Sequence, residues 1–125
     1  MTNTINASLF QEMIQAASTR LNNQAEYVNS LNVFPVPDGD TGTNMGMTIT
    51  NGAKAVSDNT GETVGQVAAI LSKGLLMGAR GNSGVILSQI FRGFGQAIKD
   101  EDVFTAENLA KAFQNGVEVA YKAVM

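Results

Sequence analysis

Apolar residues recur at helical spacing along almost the whole chain. Phe10, Ile14, Ala17 and Leu21 lie three or four residues apart, the period of one helix face. Ser8 stands ahead of them as a candidate N-cap, with Gln11 three residues on in the manner of a capping box. Tyr27, Val28 and Leu31 predict a second, short helix or turn. Met45, Ile49, Ala53 and Val56 predict a helix that starts between Thr41 and Asn44 and ends near Ser57. Val64, Val67, Ala68, Leu71 and Leu75 predict another. Ile86, Leu87, Ile90, Phe91, Phe94 and Ile98 cover much of a helix circumference, which predicts a well-buried helix. Thr105 then reads as the N-cap of a last helix carrying Leu109, Phe113, Val117, Ala120 and Val124 on one stripe. No run alternates long enough to make a strand. The fold class is therefore all-α, built from amphipathic helices.

The interruptions carry as much information as the helices. Residues 57–63 and 100–105 are polar turns. Residues 31–45, LNVFPVPDGDTGTNM, cannot be regular: Pro35 and Pro37 drive the residues before them out of helical geometry. Residues 78–84, GARGNSG, form a second glycine-bearing loop. The C-terminal VEVAYKAVM stops inside an apolar helical pattern with no Gly, Pro or polar tail. That end predicts that residues 1–125 are the N-terminal part of a longer domain, truncated at the C-terminus.

Composition narrows the chemistry. The chain has no Cys and no His, which excludes disulfides, thiolate metal sites, Ser-His-Asp triads and HExxH zinc sites. Eight basic against eleven acidic residues give a net charge of −3, a balance that argues against broad contact with nucleic acid. No apolar run approaches the length of a membrane span. The N-terminus lacks the basic start and apolar core of a secretory signal, so a cytoplasmic protein is the simplest reading. Met13, Met45, Met47 and Met77 read as fillers of core gaps.

Both loops place glycines and polar donors at a predicted helix start. Asp38 and Asp40 flank Gly39. Two carboxylates so close repel one another unless a cation offsets them, and Mg²⁺ favours such oxygens and bridges to phosphates. Thr41, Gly42, Thr43 and Asn44 follow, where free backbone N–H groups and the helix dipole favour an anion. An ordinary Asp-Gly turn capped by Thr41 is the plain alternative. In the second loop, Asn82 or Ser83 can cap the next helix, and Arg80 can pair with a phosphate or with charge developing during phosphoryl transfer. A simple helix connection with Arg80 in solvent is the alternative there. A Walker A loop is excluded, because no Gly-Lys dipeptide occurs.

LNVFPVPDGDTGTNM together with LLMGARGNSGVILSQIFRGF strongly resembles the nucleotide-binding domain of the dihydroxyacetone-kinase L-subunit (DhaL) family. Within it, the likeness is closer to the bacterial fatty acid kinases. The resemblance runs over essentially the whole chain. It implies part of a barrel of antiparallel helices with ATP or ADP at one end and two Mg²⁺ ions between acidic loop residues and the phosphates. Asp38 and Asp40 match two metal-binding carboxylates, and the third acidic position falls near Asn32. Thr41, Gly42, Thr43 and Asn44 match the segment that meets the phosphates. Gly81, Asn82 and Ser83 match the second phosphate-side loop. Dihydroxyacetone-kinase L subunits read Asp-Gly-Asp-His-Gly where this chain has Thr41, which favours the fatty-acid branch.

The resemblance thus implies transfer of the ATP γ-phosphoryl group to a fatty acid presented by a separate acyl-binding carrier protein, with Arg80 the candidate for stabilising transition-state charge. A dihydroxyacetone-type subunit and a truncated, non-catalytic interaction module are the competing readings. The family domain is longer than this chain, so the chain alone is expected to be an incomplete enzyme that lacks most of the adenine cover. Its end also predicts an uncovered apolar strip of Val117, Ala120, Tyr121 and Val124 beside Phe10 and Ile14. Such a strip predicts either a homo-oligomer or a loosely packed, dye-binding monomer.

Overall fold

A computed structural model describes residues 3–31 and 39–124. Six helices follow one another: α1 (Ala7–Asn23), α2 (Ala25–Ser30), α3 (Thr41–Asp58), α4 (Val64–Met77), α5 (Gly81–Ala97) and α6 (Ala106–Val124). Among the described residues there is no named strand. The one β-like feature is an isolated antiparallel bridge between Ile5 and Phe104. The all-α expectation therefore holds, and no helix is long and apolar enough to cross a membrane. Asn32, Pro35, Pro37 and Asp38 lie outside the described residues.

Side chains cap three of the described helices, α1, α4 and α6. Asn6, rather than Ser8, caps α1: its side-chain oxygen accepts the Leu9 N–H at 2.9 Å. Gln11 closes no capping box and instead donates to the Gly61 carbonyl. Thr63 caps α4 through Gln66 N–H. The Thr105 cap is reciprocal, since its hydroxyl accepts the Asn108 N–H while its own N–H donates to the Asn108 side chain.

The core follows the predicted stripes in α1, α3 and α4. Phe10, Ile14, Ile49, Ala53, Val56, Val64, Val67, Ala68, Leu71 and Leu75 are all buried. Phe10, Phe94 and Phe104 make a continuous aromatic contact, with ring centroids 4.8–6.2 Å apart. They border an apolar cleft of about 220 Å³.

Three sequence expectations need correction. First, α6 does not bury its bulky stripe. Ala112, Gly116 and Ala120 face inward, whereas Phe113 and Val117 are half exposed. The cause is the α5–α6 crossing: a Cβ on Gly93 would lie 2.5 Å from the Asn115 carbonyl oxygen, and one on Gly116 2.6 Å from that of Ile90. Only small residues allow backbones so close. The expected uncovered strip survives at Val117 and Tyr121, but Ala120, Phe10 and Ile14 belong to the buried set, and the Val124 side chain lies outside the description. Second, α5 is less buried than its sequence suggests, because Val85 and Ile86 face outward. Third, Met13, Met47 and Met77 are exposed rather than filling the core.

Candidate functional site

The first turns of α3 and α5 meet. The chain reaches α3 through Gly39, at φ 69°, and enters α5 at Gly81, at φ 65°. Both values lie in the left-handed region, which glycine adopts without steric cost. Arg80 occupies the N-cap position of α5 with no side-chain cap bond, so neither Asn82 nor Ser83 performs the capping expected of it. Both lie within the first helical turn.

A single hydroxyl joins the two helix starts. Thr48 is fully buried. Its Oγ1 donates to the Asn44 carbonyl at 2.7 Å and accepts the Arg80 backbone N–H at 3.1 Å. The surrounding glycines make this approach sterically feasible. A Cβ on Gly81 would collide with Asn44 Nδ2, and one on Gly84 with Thr48 Oγ1. Ser83 Oγ reaches the Thr41 carbonyl at 3.5 Å, the long limit of a hydrogen bond.

Helix α2 braces α3 from the other side. Asn29 Oδ1 accepts the Thr43 N–H at 3.0 Å, and Asn29 Nδ2 donates to Thr43 Oγ1 at 2.9 Å. An N–H can only donate, so this pair fixes the amide orientation: the Thr43 hydroxyl accepts from Asn29 and keeps its own proton for another partner. Gly42 lies so close to α2 that a Cβ there would collide with the Ala25 carbonyl.

The predicted residues thus fall into three groups. Thr41, Gly42, Thr43, Asn44, Gly81 and Ser83 are gathered by these contacts. Asn82 and Arg80 are exposed at the rim, and Arg80 forms no ion pair with a described carboxylate. Asp40 is exposed at the N-cap position of α3, where its side chain makes no cap bond. Asp38 and Asn32 lie outside the described residues. Among the described residues no three His, Cys, Asp or Glu side chains form a metal cage. Mg²⁺ does not require such a cage, since it commonly takes one or two carboxylates together with phosphate oxygens and water.

Asn29 and Thr48 were not singled out from the sequence. Thr48 had a usable signal, a hydroxyl four residues beyond Asn44 on the inward face of α3. Asn29 had none, being one Asn among several in a short polar helix.

A family model described as the DAK2 domain matches residues 35–125. An uncharacterised protein of Staphylococcus haemolyticus is 56% identical over 125 residues. Uncharacterised proteins of Staphylococcus epidermidis and Staphylococcus aureus are 55% identical over the same length. Each match takes in 100% of this chain but 23% of the relative, so the chain spans about a quarter of the length of the curated relatives it matches.

Proposed function

Because the chain belongs to the DAK2-domain family, we propose that it is the ATP- and Mg²⁺-binding part of a two-component kinase that phosphorylates a fatty acid held by a separate acyl-binding protein. Family membership supplies the coarse reading, a nucleotide-binding domain of kinase type. The observation that supports the finer one is the Thr48 bridge, which sets the helix starts at Thr41 and Gly81 side by side. Two adjacent helix N-termini rich in glycine suit a polyphosphate.

In this reading the α3 and α5 first turns hold the phosphates, with the Thr43 hydroxyl, Asn44, Asn82 and Ser83 as donors. Asp40 and Asp38 hold the metal, with Asn32 in the third place. Bound Mg²⁺ neutralises charge on the β- and γ-phosphates. Arg80 meets charge that builds on the transferring group. The acceptor carboxylate is already ionised and attacks phosphorus without losing a proton. An acyl O–P bond forms, the bond from the γ-phosphorus to the β,γ-bridging oxygen breaks, and ADP leaves. A hydroxyl acceptor such as dihydroxyacetone needs a base for its proton. This chain offers no His and has Thr41 at the matching position.

Calorimetric titration with ADP and ATP, with and without Mg²⁺, tests the proposal. Binding is expected to require Mg²⁺ and to disappear in Asp40→Ala while circular dichroism retains the helix content. If Asp40→Ala unfolds and its folded fraction binds as before, Asp40 is structural and the assignment is wrong.

A further inference from the structure

Away from the helix starts, a groove of about 360 Å³ runs along the outer junction of α4 and α5. Its α5 wall presents Ser88, Arg92 and Gly95, the turn after α5 adds Lys99, and its α4 wall includes Lys73 and Leu76. Ser88, Arg92 and Gly95 recur every three or four residues on one face of α5, as Lys73 and Leu76 do on α4. Leu76 is 57% exposed. Ser88 is buried, with its hydroxyl spent on the Val85 carbonyl.

The charge is one-sided. Lys73, Arg92 and Lys99 are three of only eight basic residues in a chain of net charge −3, and no Asp or Glu lines the groove. Asp100 and Glu101 follow Lys99 in the next turn, yet the ion pairs among the described residues are Lys54–Asp58 and Lys111–Glu107. Arg92 reaches only the neutral Gln89, at 3.4 Å.

We propose that this groove docks an acidic amphipathic helix of a partner protein. Three features select that occupant. The groove is concave and walled by two helices, which suits an inserted helix read at three- and four-residue spacing, whereas a bilayer surface is flat. Arg92 stands on α5 and Lys99 in the turn just beyond it, and both line the groove together with Lys73 of α4. Three cations supplied by α4, α5 and the turn after α5 outnumber the one charge of a fatty-acid carboxylate, whereas the acidic face of a helix offers several. Leu76 supplies an apolar contact between the charged walls. The partner helix therefore carries several acidic residues on the face that meets Lys73, Arg92 and Lys99, beside a leucine-type stripe.

The probe is a labelled synthetic 14-residue helix with a Leu stripe beside a face of several Glu, titrated with the chain and followed by fluorescence anisotropy. The expected result is saturable binding that weakens with salt and falls at least tenfold in the Lys73→Glu/Arg92→Glu double variant. Lys111→Glu, on α6, leaves it unchanged. All three side chains are exposed, and circular dichroism with thermal melting confirms that the variants fold. The proposal is overturned by absence of saturable binding, by equal binding of a Lys-for-Glu peptide, or by indifference to the double variant. It is equally overturned if only oleate or phosphatidylglycerol vesicles show the charge-dependent binding.

Discussion

The Thr48 hydroxyl accepts the backbone N–H of Arg80 at 3.1 Å while donating to the Asn44 carbonyl at 2.7 Å. One buried oxygen thereby sets the spacing between two helix starts separated by more than thirty residues of sequence. Thr48→Val keeps the shape and removes the hydroxyl, leaving the Arg80 N–H without its acceptor. The expected cost is about 1–3 kcal/mol by urea denaturation, together with a several-fold loss of nucleotide affinity. Thr48→Ser, which keeps the oxygen, should retain affinity. Equal loss in the two variants would show that the methyl group, not the bridge, is what matters.

Gly81→Ala tests the α5 start. A left-handed backbone costs an L-residue about 1–2 kcal/mol, and the new methyl meets Asn44 Nδ2. The melting temperature should fall and nucleotide binding should fall with it. A variant as stable as the parent would mean that the turn relaxes freely.

Two glycines in α5 and α6 should respond in opposite ways. Gly116→Val drives side-chain atoms against the Ile90 carbonyl, at a cost of about 1–3 kcal/mol or more for overpacking. A Cβ on Gly95 meets nothing nearer than 3.6 Å, so Gly95→Ala should stabilise by about 0.5–1 kcal/mol by relieving a glycine inside a helix. Chemical denaturation of both variants is the check, and equal signs would refute the close-approach account of the crossing.

Asn29→Ala removes a cap supplied from outside the helix it caps. The expected loss is about 0.5–2 kcal/mol, the range for conventional N-caps. Amide exchange at Thr43 should accelerate more than exchange at Ile49, one and a half turns further along α3. Uniform acceleration would assign Asn29 a global rather than a local role.

These residues also show what was legible in the sequence. Large apolar side chains at helical spacing located α1, α3, α4 and α5, because burial of such a face stabilises a helix wherever it lies. The same logic located α6 but misassigned part of its buried face. Ala112, Gly116 and Ala120 contribute little hydrophobicity, and their value is the short distance to α5, a pairwise property absent from either helix alone. Thr41 to Asn44, Gly81 and Ser83 were legible because glycines and donors at helix starts have a local chemical meaning. Asn29 acquires its meaning only from folding against α3. Ser8 lost the cap to Asn6 because Asn side chains serve equally well there and the helix begins at Ala7.

The bridge between Ile5 and Phe104, paired in both directions at 3.0 and 2.8 Å, has a consequence for synthesis on the ribosome. Phe104 also seals one side of Phe10, through an edge-on ring contact at 4.8 Å. A nascent chain that has completed α1 must therefore wait for roughly 80 further residues, about 4–16 s at ordinary translation rates, before that partner emerges. Until then the side of Phe10 that Phe104 covers stays open, even after α3 and α4 have emerged to pack on the rest of the helix. The time for which that side of the first helix stays uncovered is thus set by translation speed.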